Sequence, residues 1–532
     1  MSALADTAPD WVRAHARATP EAPAVDSPWG RLTYARLEAR MLALAGQLRA
    51  SGVGPGTRVL IALPLGCAAT VAGLAVQALG ACAVELDRET GADSLAGILA
   101  QTGARHAVIF GQDARRWTGR AQLTRFFVVH AARPPERMRA LLTPAACTWV
   151  QEDGAVDPDA AVEPLAALPS LAPDAPASIV YTSGSTGTPR GVVQTFANIA
   201  ANTRSIVEYL GLTPRDRAML ILPLHYCYGK SVLQTHLLAG GSVFLDPRFM
   251  YPRVVLEAMA SESCTGFAGV PLTFELLRRQ ASPDAFAKLT LRYLTQAGGG
   301  MSPDTVRWTR ETFHPAELFV MYGQTEATAR LSYLPPARAA DKAGSIGQGI
   351  PGVTLAVVAE DGAPLPDGEV GQLVAKGANV TPGYLDAPED TAAILHDGWL
   401  WTGDLAWRDA DGFFFLVGRA KEILKVGGHR VSPAELEHVL ARHPAVLEVA
   451  VVGVPDELGG EAACAAVVLQ PGATPKEDDL RRFCREALPV HKVPRHVLFT
   501  EALPRGPTGK VLKADLRARV LSSLSSPESR SS

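Results

Sequence analysis

The stretch from 178 to 192, SIVYTSGSTGTPRGV, constrains this chain more than any other: a short apolar, β-branched run enters a Thr/Ser/Gly loop that closes on Pro189, Arg190 and Gly191. Gly184 and Gly187 would let backbone N–H groups approach an anion closely. The hydroxyls of Thr182, Ser183, Ser185 and Thr186 add donors, and Arg190 adds a fixed positive charge. A strand feeding such a loop is built to hold phosphate. The spacing is not the GxxxxGK[ST] of the usual nucleotide loop, and a plain flexible linker would need neither the strand nor the Pro-Arg-Gly ending.

The chain has 532 residues, too many for one hydrophobic core, so several compact units are expected. Leu37, Met41, Leu44 and Leu48 recur at helical spacing within 32–48. Short β-branched or aromatic runs at 58–63, 107–110 and 126–130 alternate with helical segments, which predicts a layered α/β domain with parallel sheets. The apolar stretch 59–84 is broken by Pro64, Gly66, Gly73 and Gly80 and reads as strands and helix rather than a membrane span. Residues 153–177, rich in Ala, Pro and Asp, read as a connector before a second α/β unit. Residues 344–418 read as mainly β. From 421 a smaller α/β unit is expected, with helices at 433–441 and 478–487 and strands at 449–452 and 465–469. The Ser-rich stretch 522–532 is expected to be disordered. The expected domains are therefore 1–420, 421–521 and a tail.

With 47% apolar and 20% charged residues the chain should bury real cores. A net charge of -3 without long runs of one sign argues against nucleic acid as a partner. Seven scattered cysteines without a CxxC pair suggest neither a zinc site nor a disulfide framework. The first residues carry both charge signs and no apolar segment, so no secretory signal is read, and a reducing cytoplasm fits best.

At the 181–192 motif the chain resembles the adenylate-forming superfamily of acyl- and aryl-CoA synthetases, luciferases and peptide-synthetase adenylation domains, whose signature is close to YTSGTTGxPKGV. Further motifs follow in the family's order. VMYGQTEAT at 320–328 is similar to YGxTE. The resemblance implies that Tyr322 stacks on adenine with Gly323 and Gln324 beside it, that Thr325 contacts phosphate, and that Glu326 holds magnesium, a hard cation suited to carboxylate oxygen. It also implies that Gly298 and Gly299 lie along adenine, where side chains would obstruct, that Asp404 in GWLWTGDL accepts from the ribose hydroxyls, and that Arg419 sits near ribose and phosphate. LPRGPTGKVL at 503–512 makes Lys510 the adenylation lysine, whose charge offsets the repulsion between an attacking carboxylate and the α-phosphate of ATP. Lys421 matches the hinge between two domain arrangements. Lys425, Gly427, Gly428 and His429 resemble the segment lining the thiol channel.

The chain departs from the family where Arg190 stands for Lys, Phe196 for His, and Tyr226 for the His of many synthetases, with His225 one residue earlier. Which of the last two faces the acid stays open. No Asp lies in 222–245 to pair with an α-amino group, which argues against amino acids. Tyr226, Tyr228, Gly229, Phe267, Gly269, Val270, Ala297, Gly300 and Met301 would line a mostly apolar pocket suited to a fatty or aryl acid. The resemblance implies a large α/β and β N-terminal domain with a small mobile α+β C-terminal domain. It also implies an acid-thiol ligase using ATP, Mg2+ and coenzyme A. Loading of a carrier-protein phosphopantetheine is one alternative, and a catalytically silent acyl- or nucleotide-binding protein is another.

Overall fold

A computed structural model describes residues 6–117, 119–120, 122–130, 146–156, 162–182, 189–426, 429–456, 460–505 and 511–525. The chain divides into two compact units, Met1–Leu355 with Ala375–Leu400, and Ala356–Val374 with Trp401–Ser532.

The first unit holds two sheets. One has seven strands in the order Ala146–Val150, Arg125–Val129, His106–Phe110, Arg58–Ala62, Cys82–Glu85, Pro176–Thr182 and Arg190–Thr195. All neighbours are parallel except the last pair, so the expected strands and their parallel pairing are present. The other sheet has nine strands. Six adjacent ones, Glu317–Tyr322, Tyr293–Gln296, Gly266–Gly269, Arg217–Leu220, Ser242–Leu245 and Pro23–Ser27, are mutually parallel, with antiparallel strands at both edges.

The expected helix at 32–48 is Tyr34–Ala50, begun by Thr33, whose hydroxyl accepts from the Arg36 N–H. The stretch 59–84 is strand, helix Cys67–Gln77 and strand, as read. Among the described residues no helix is long and apolar enough to cross a membrane. Residues 162–175 carry no helix or strand, in keeping with a connector.

Helix Cys227–Ala239 is buried from Cys227 through Leu237. Lys230 donates to Glu85 and to Ser178 Oγ (2.8 Å) of the seven-stranded sheet. Tyr228 Oη donates to Thr295 O (2.8 Å) of the nine-stranded sheet. The helix therefore lies between the sheets, and one apolar core joins all three layers.

Between 353 and 419 strands dominate (Val353–Val358, Gly371–Gly377, Trp399–Arg408, Phe414–Arg419), as expected. In the second unit, Val446–Pro455, Glu461–Leu469 and His496–Phe499 form a three-stranded sheet. Val451, Ala465 and Val467 turn toward helices Pro433–Leu440 and Glu477–Ala487. Ala450, Val452 and Ala466 turn toward helix Lys513–Ser525. A sheet covered on both faces reads as an unbroken apolar run, which VAVVGV is. Helix Lys513–Ser525 corrects the expected tail: Leu516 and Val520 are buried against the sheet and carry the helix on through 522–525. Residues 526–532 lie outside the described residues.

Candidate active site

Thr182 and Arg190 end two antiparallel strands and face each other in register. The loop between them, with Ser183, Gly184, Ser185, Thr186 and Gly187, lies outside the described residues. Arg190 Nη2 is 2.7 Å from Asp390 Oδ1, and its guanidinium carbon is 5.5 Å from the ring centre of Tyr384. Tyr384 Oη donates to Glu326 Oε1 at 2.7 Å. One tyrosine thus joins the cation closing the loop to the carboxylate of VMYGQTEAT. Burial, then the Glu326 charge, push the phenol's pKa up, so it stays a donor.

Glu326 sits half-buried in the turn Thr325–Ala327 that follows strand Glu317–Tyr322. Among the described residues no Lys or Arg pairs with it, which leaves carboxylate oxygen for a hard cation. The turn is held under strain. Thr328 takes φ +66°, costly for a β-branched residue. Thr328 Oγ1 donates to Asn379 O (2.7 Å), Gln194 Nε2 donates to Thr328 O (3.1 Å), and Asn379 Nδ2 donates to Ala327 O (3.1 Å) and Arg330 O (2.8 Å). Gly323 approaches backbone so closely that a Cβ would fall 2.1 Å from Ala329 O. Thr325 Oγ1 donates to Cys227 Sγ at 3.5 Å. Tyr322 and Gln324 flank Gly323, Tyr322 buried and Gln324 half-buried.

Gly298 has φ +89°, and a Cβ there would lie 2.5 Å from Tyr226 Oη and 3.3 Å from Val270 Cγ1. Gln296 Nε2 donates to Gly299 O (2.7 Å), fixing this glycine run. Tyr226 therefore accompanies the glycines that follow Ala297, whereas His225 turns toward a separate cavity lined by Leu63, Leu65 and Glu85. The Tyr226 and Tyr228 rings meet edge to face at 6.2 Å, and Gly229 continues the central helix. Phe267 is buried at the edge of the cavity beneath Tyr228. Its ring packs with Phe249 (6.3 Å) and Phe274 (6.1 Å) on the opposite face of the sheet from Ala268, because successive strand residues point to opposite faces. Gly269 faces Thr273 and Phe274 on Phe267's side, and Met301 packs against that same cluster. Nothing lies within 4 Å of a Cβ at Gly300.

In the second unit Asp404 and Arg419 are cross-strand partners. Arg419 Nε lies 2.8 Å from Asp404 Oδ1, and its Nη1 donates to Thr402 O (3.1 Å). Lys421 lies in the turn Ala420–Glu422. Lys425 is exposed on the hairpin Leu424–Val426/His429–Val431, where His429 stacks on His491 at 4.2 Å. Gly427, Gly428 and Lys510 lie outside the described residues.

Motif reading singled out Glu326, Arg190 and Gly298. It missed Tyr384 and Asp390, which hold Arg190 and Glu326, and Asn379 and Gln194, which hold the turn after Glu326, because 379–390 carries no motif and Gln194 lies just past the end of one.

The AMP-binding enzyme family matches residues 12–385, and the AMP-binding enzyme C-terminal domain matches 435–510. A sulfoacetate–CoA ligase of Cupriavidus necator is 39% identical over 66% of this chain and 68% of its own. A feruloyl-CoA synthase of Amycolatopsis is 34% identical over 96% and 98%. The o-succinylbenzoate CoA synthetase of Bacillus subtilis, solved with its acyl-adenylate intermediate, is 28% identical with a TM-score of 0.82 over 96% of this chain and 98% of that one. The same protein, solved with ATP and magnesium, is 27% identical with a TM-score of 0.81 over 95% and 98%. Two domain matches and likeness along nearly the whole length lead to one conclusion: the chain belongs to the AMP-binding, adenylate-forming enzymes and is acyl-CoA ligase-like.

Proposed function

We propose that the protein joins a carboxylic acid with an aliphatic or aryl body to coenzyme A in two steps. A carboxylate oxygen attacks the α-phosphorus of ATP and pyrophosphate leaves. The thiol sulfur then attacks the acyl carbon and AMP leaves. The observation that carries this reading is the Arg190–Tyr384–Glu326 chain, which ties the end of a phosphate-type loop to a carboxylate that no Lys or Arg pairs with among the described residues. Magnesium, when bound, supplies charge neutralisation on the phosphates. The residues that would hold it and the nucleotide are Glu326 and Thr325, with Thr182, Arg190 and the 183–188 loop on phosphate and Tyr322 on adenine.

Asp404 and Arg419 take the ribose side, and Lys510 neutralises the α-phosphate as the acyl oxygen arrives. Lys421 is the hinge that exchanges Lys510 for the thiol channel at Lys425, Gly427 and Gly428. Tyr226, Gly298 and Gly300 receive the carboxylate end of the acid. None of the seven cysteines forms a disulfide, in keeping with a reducing cytoplasm.

The test is incubation with ATP, magnesium, coenzyme A and a panel of fatty, aryl and amino acids, reading AMP, pyrophosphate and thioester. AMP and thioester in equal amounts with one acid class support the reading. ADP and phosphate as products would overturn it, and adenylate accumulating without thioester would favour a carrier-protein acceptor.

A further inference from the structure

The Arg190–Tyr384–Glu326 chain has a second support, from a helix that carries none of the nucleotide motifs. Segment 383–385 runs beside strand Arg190–Thr195. Val193 N–H donates to Gly383 O (3.1 Å), Leu385 N–H donates to Gly191 O (2.8 Å), and Val192 and Tyr384 are antiparallel partners. On the other edge of that strand Gly191 is paired with Tyr181, the residue before Thr182. The Tyr181 ring lies so close over Gly191 that a Cβ there would fall 3.2 Å from Tyr181 Cζ, and any larger side chain would push the ring away. Across the glycine, Tyr181 Oη donates to Gln101 Oε1 (2.8 Å), and Gln101 Nε2 donates to Leu385 O (2.6 Å). Burial pushes the Tyr181 phenol's pKa up, so it stays a donor.

Gln101 stands near the end of helix Ala92–Thr102. Its one amide joins the residue that precedes Thr182 to the residue that follows Tyr384, across the strand between them. Leu385 also shares an apolar cluster with Leu95, Ile98 and Leu99 of the same helix. Apolar packing is non-directional and tolerates a small slide of the segment, whereas hydrogen bonds depend on distance and angle and do not. The same segment reaches Glu326 twice. Thr381 N–H donates to Glu326 O (2.8 Å), and Tyr384 Oη donates to Glu326 Oε1 (2.7 Å). A shift of about 0.5 Å at 383–385 is enough to loosen a site of this kind.

We propose that Gln101 is a positioning residue for the ATP-dependent step. By fixing segment 383–385 against the strand that leads into the phosphate loop, it holds Tyr384 on Glu326 and so sets the affinity for magnesium-bound ATP. This rests on the nucleotide site of the ligase reading above.

The experiment measures ATP binding by calorimetry, once with magnesium and once with EDTA, beside a melting curve for each protein. It uses wild type, Gln101→Met, Tyr181→Phe, Tyr384→Phe and the double variant Gln101→Met/Tyr384→Phe. Gln101→Met keeps the side chain's length and removes both hydrogen bonds. It should weaken ATP binding by about 10-fold with magnesium and leave binding in EDTA unchanged. Added to Tyr384→Phe it should cost little more, because the two act through one contact. Tyr181→Phe should show the same magnesium-specific loss in smaller measure, and it decides the matter if Gln101→Met does not fold. Equal losses with magnesium and with EDTA, or losses that multiply in the double variant, would show a merely structural role and overturn the proposal. Wild-type binding that ignores magnesium would overturn it too. If no acid releases pyrophosphate from ATP while the magnesium-specific losses hold, the ligase reading fails and the role of Gln101 stands.

Discussion

At the scale of single residues, the site depends on side chains that hold the motif residues as much as on the motifs themselves. Tyr384→Phe removes the hydrogen bond to Glu326 and keeps the ring under Arg190. A hydrogen bond to a charged group is worth about 1.5–3 kcal/mol, so adenylate formation should fall by about 10- to 100-fold with the melting temperature nearly unchanged. Steady-state kinetics beside a melting curve checks both halves. Gly298→Ala should be worse, since it meets Tyr226 Oη and a left-handed backbone together, and the loss should appear mainly as a raised KM for the acid. Glu326 and Gly298 were legible because a motif carries each of them. Tyr384 was not, because its role exists only once the turn at 325–327 and the segment around 384 come together.

At the scale of elements, the helix Cys227–Ala239 determines how the two sheets are held. A helix buried all round needs no polar stripe, so it shows no clear 3.6-residue period, and the sequence reading passed over it while finding the amphipathic Tyr34–Ala50. Lys230→Met leaves Glu85 charged and buried, a change that costs about 3–5 kcal/mol, whereas adding Glu85→Gln should recover most of that loss. Chemical denaturation of the single and double variants measures the difference, and a double variant as unstable as the single would contradict the pairing. His236, on the same helix, is pushed down to about 4 by burial. The unfolded chain, with an ordinary value near 6.5, takes up this proton first. The contribution is therefore complete above pH 6.5 and is lost as pH falls toward 4, about 3 kcal/mol in all. His236→Gln should flatten the stability profile between those limits.

At the scale of the whole molecule, the order of motifs gave the family and the layered architecture. Cross-strand pairing, the extent of the last helix and the partners of Glu326 depend on contacts between distant segments, which no local pattern encodes. The two-step account assigns Lys510 to one step only. Lys510→Ala should cut adenylate formation steeply and spare thioester formation from preformed acyl adenylate, and equal losses in both would contradict that role. The central claim, that an acid is activated on AMP before any thiol takes part, is tested most directly by exchange of labelled pyrophosphate into ATP with coenzyme A left out. The account predicts exchange that requires magnesium and the right acid and that disappears when the acid is omitted. Exchange that appears only with coenzyme A present, or ADP in place of AMP when the acid is turned over, would contradict it.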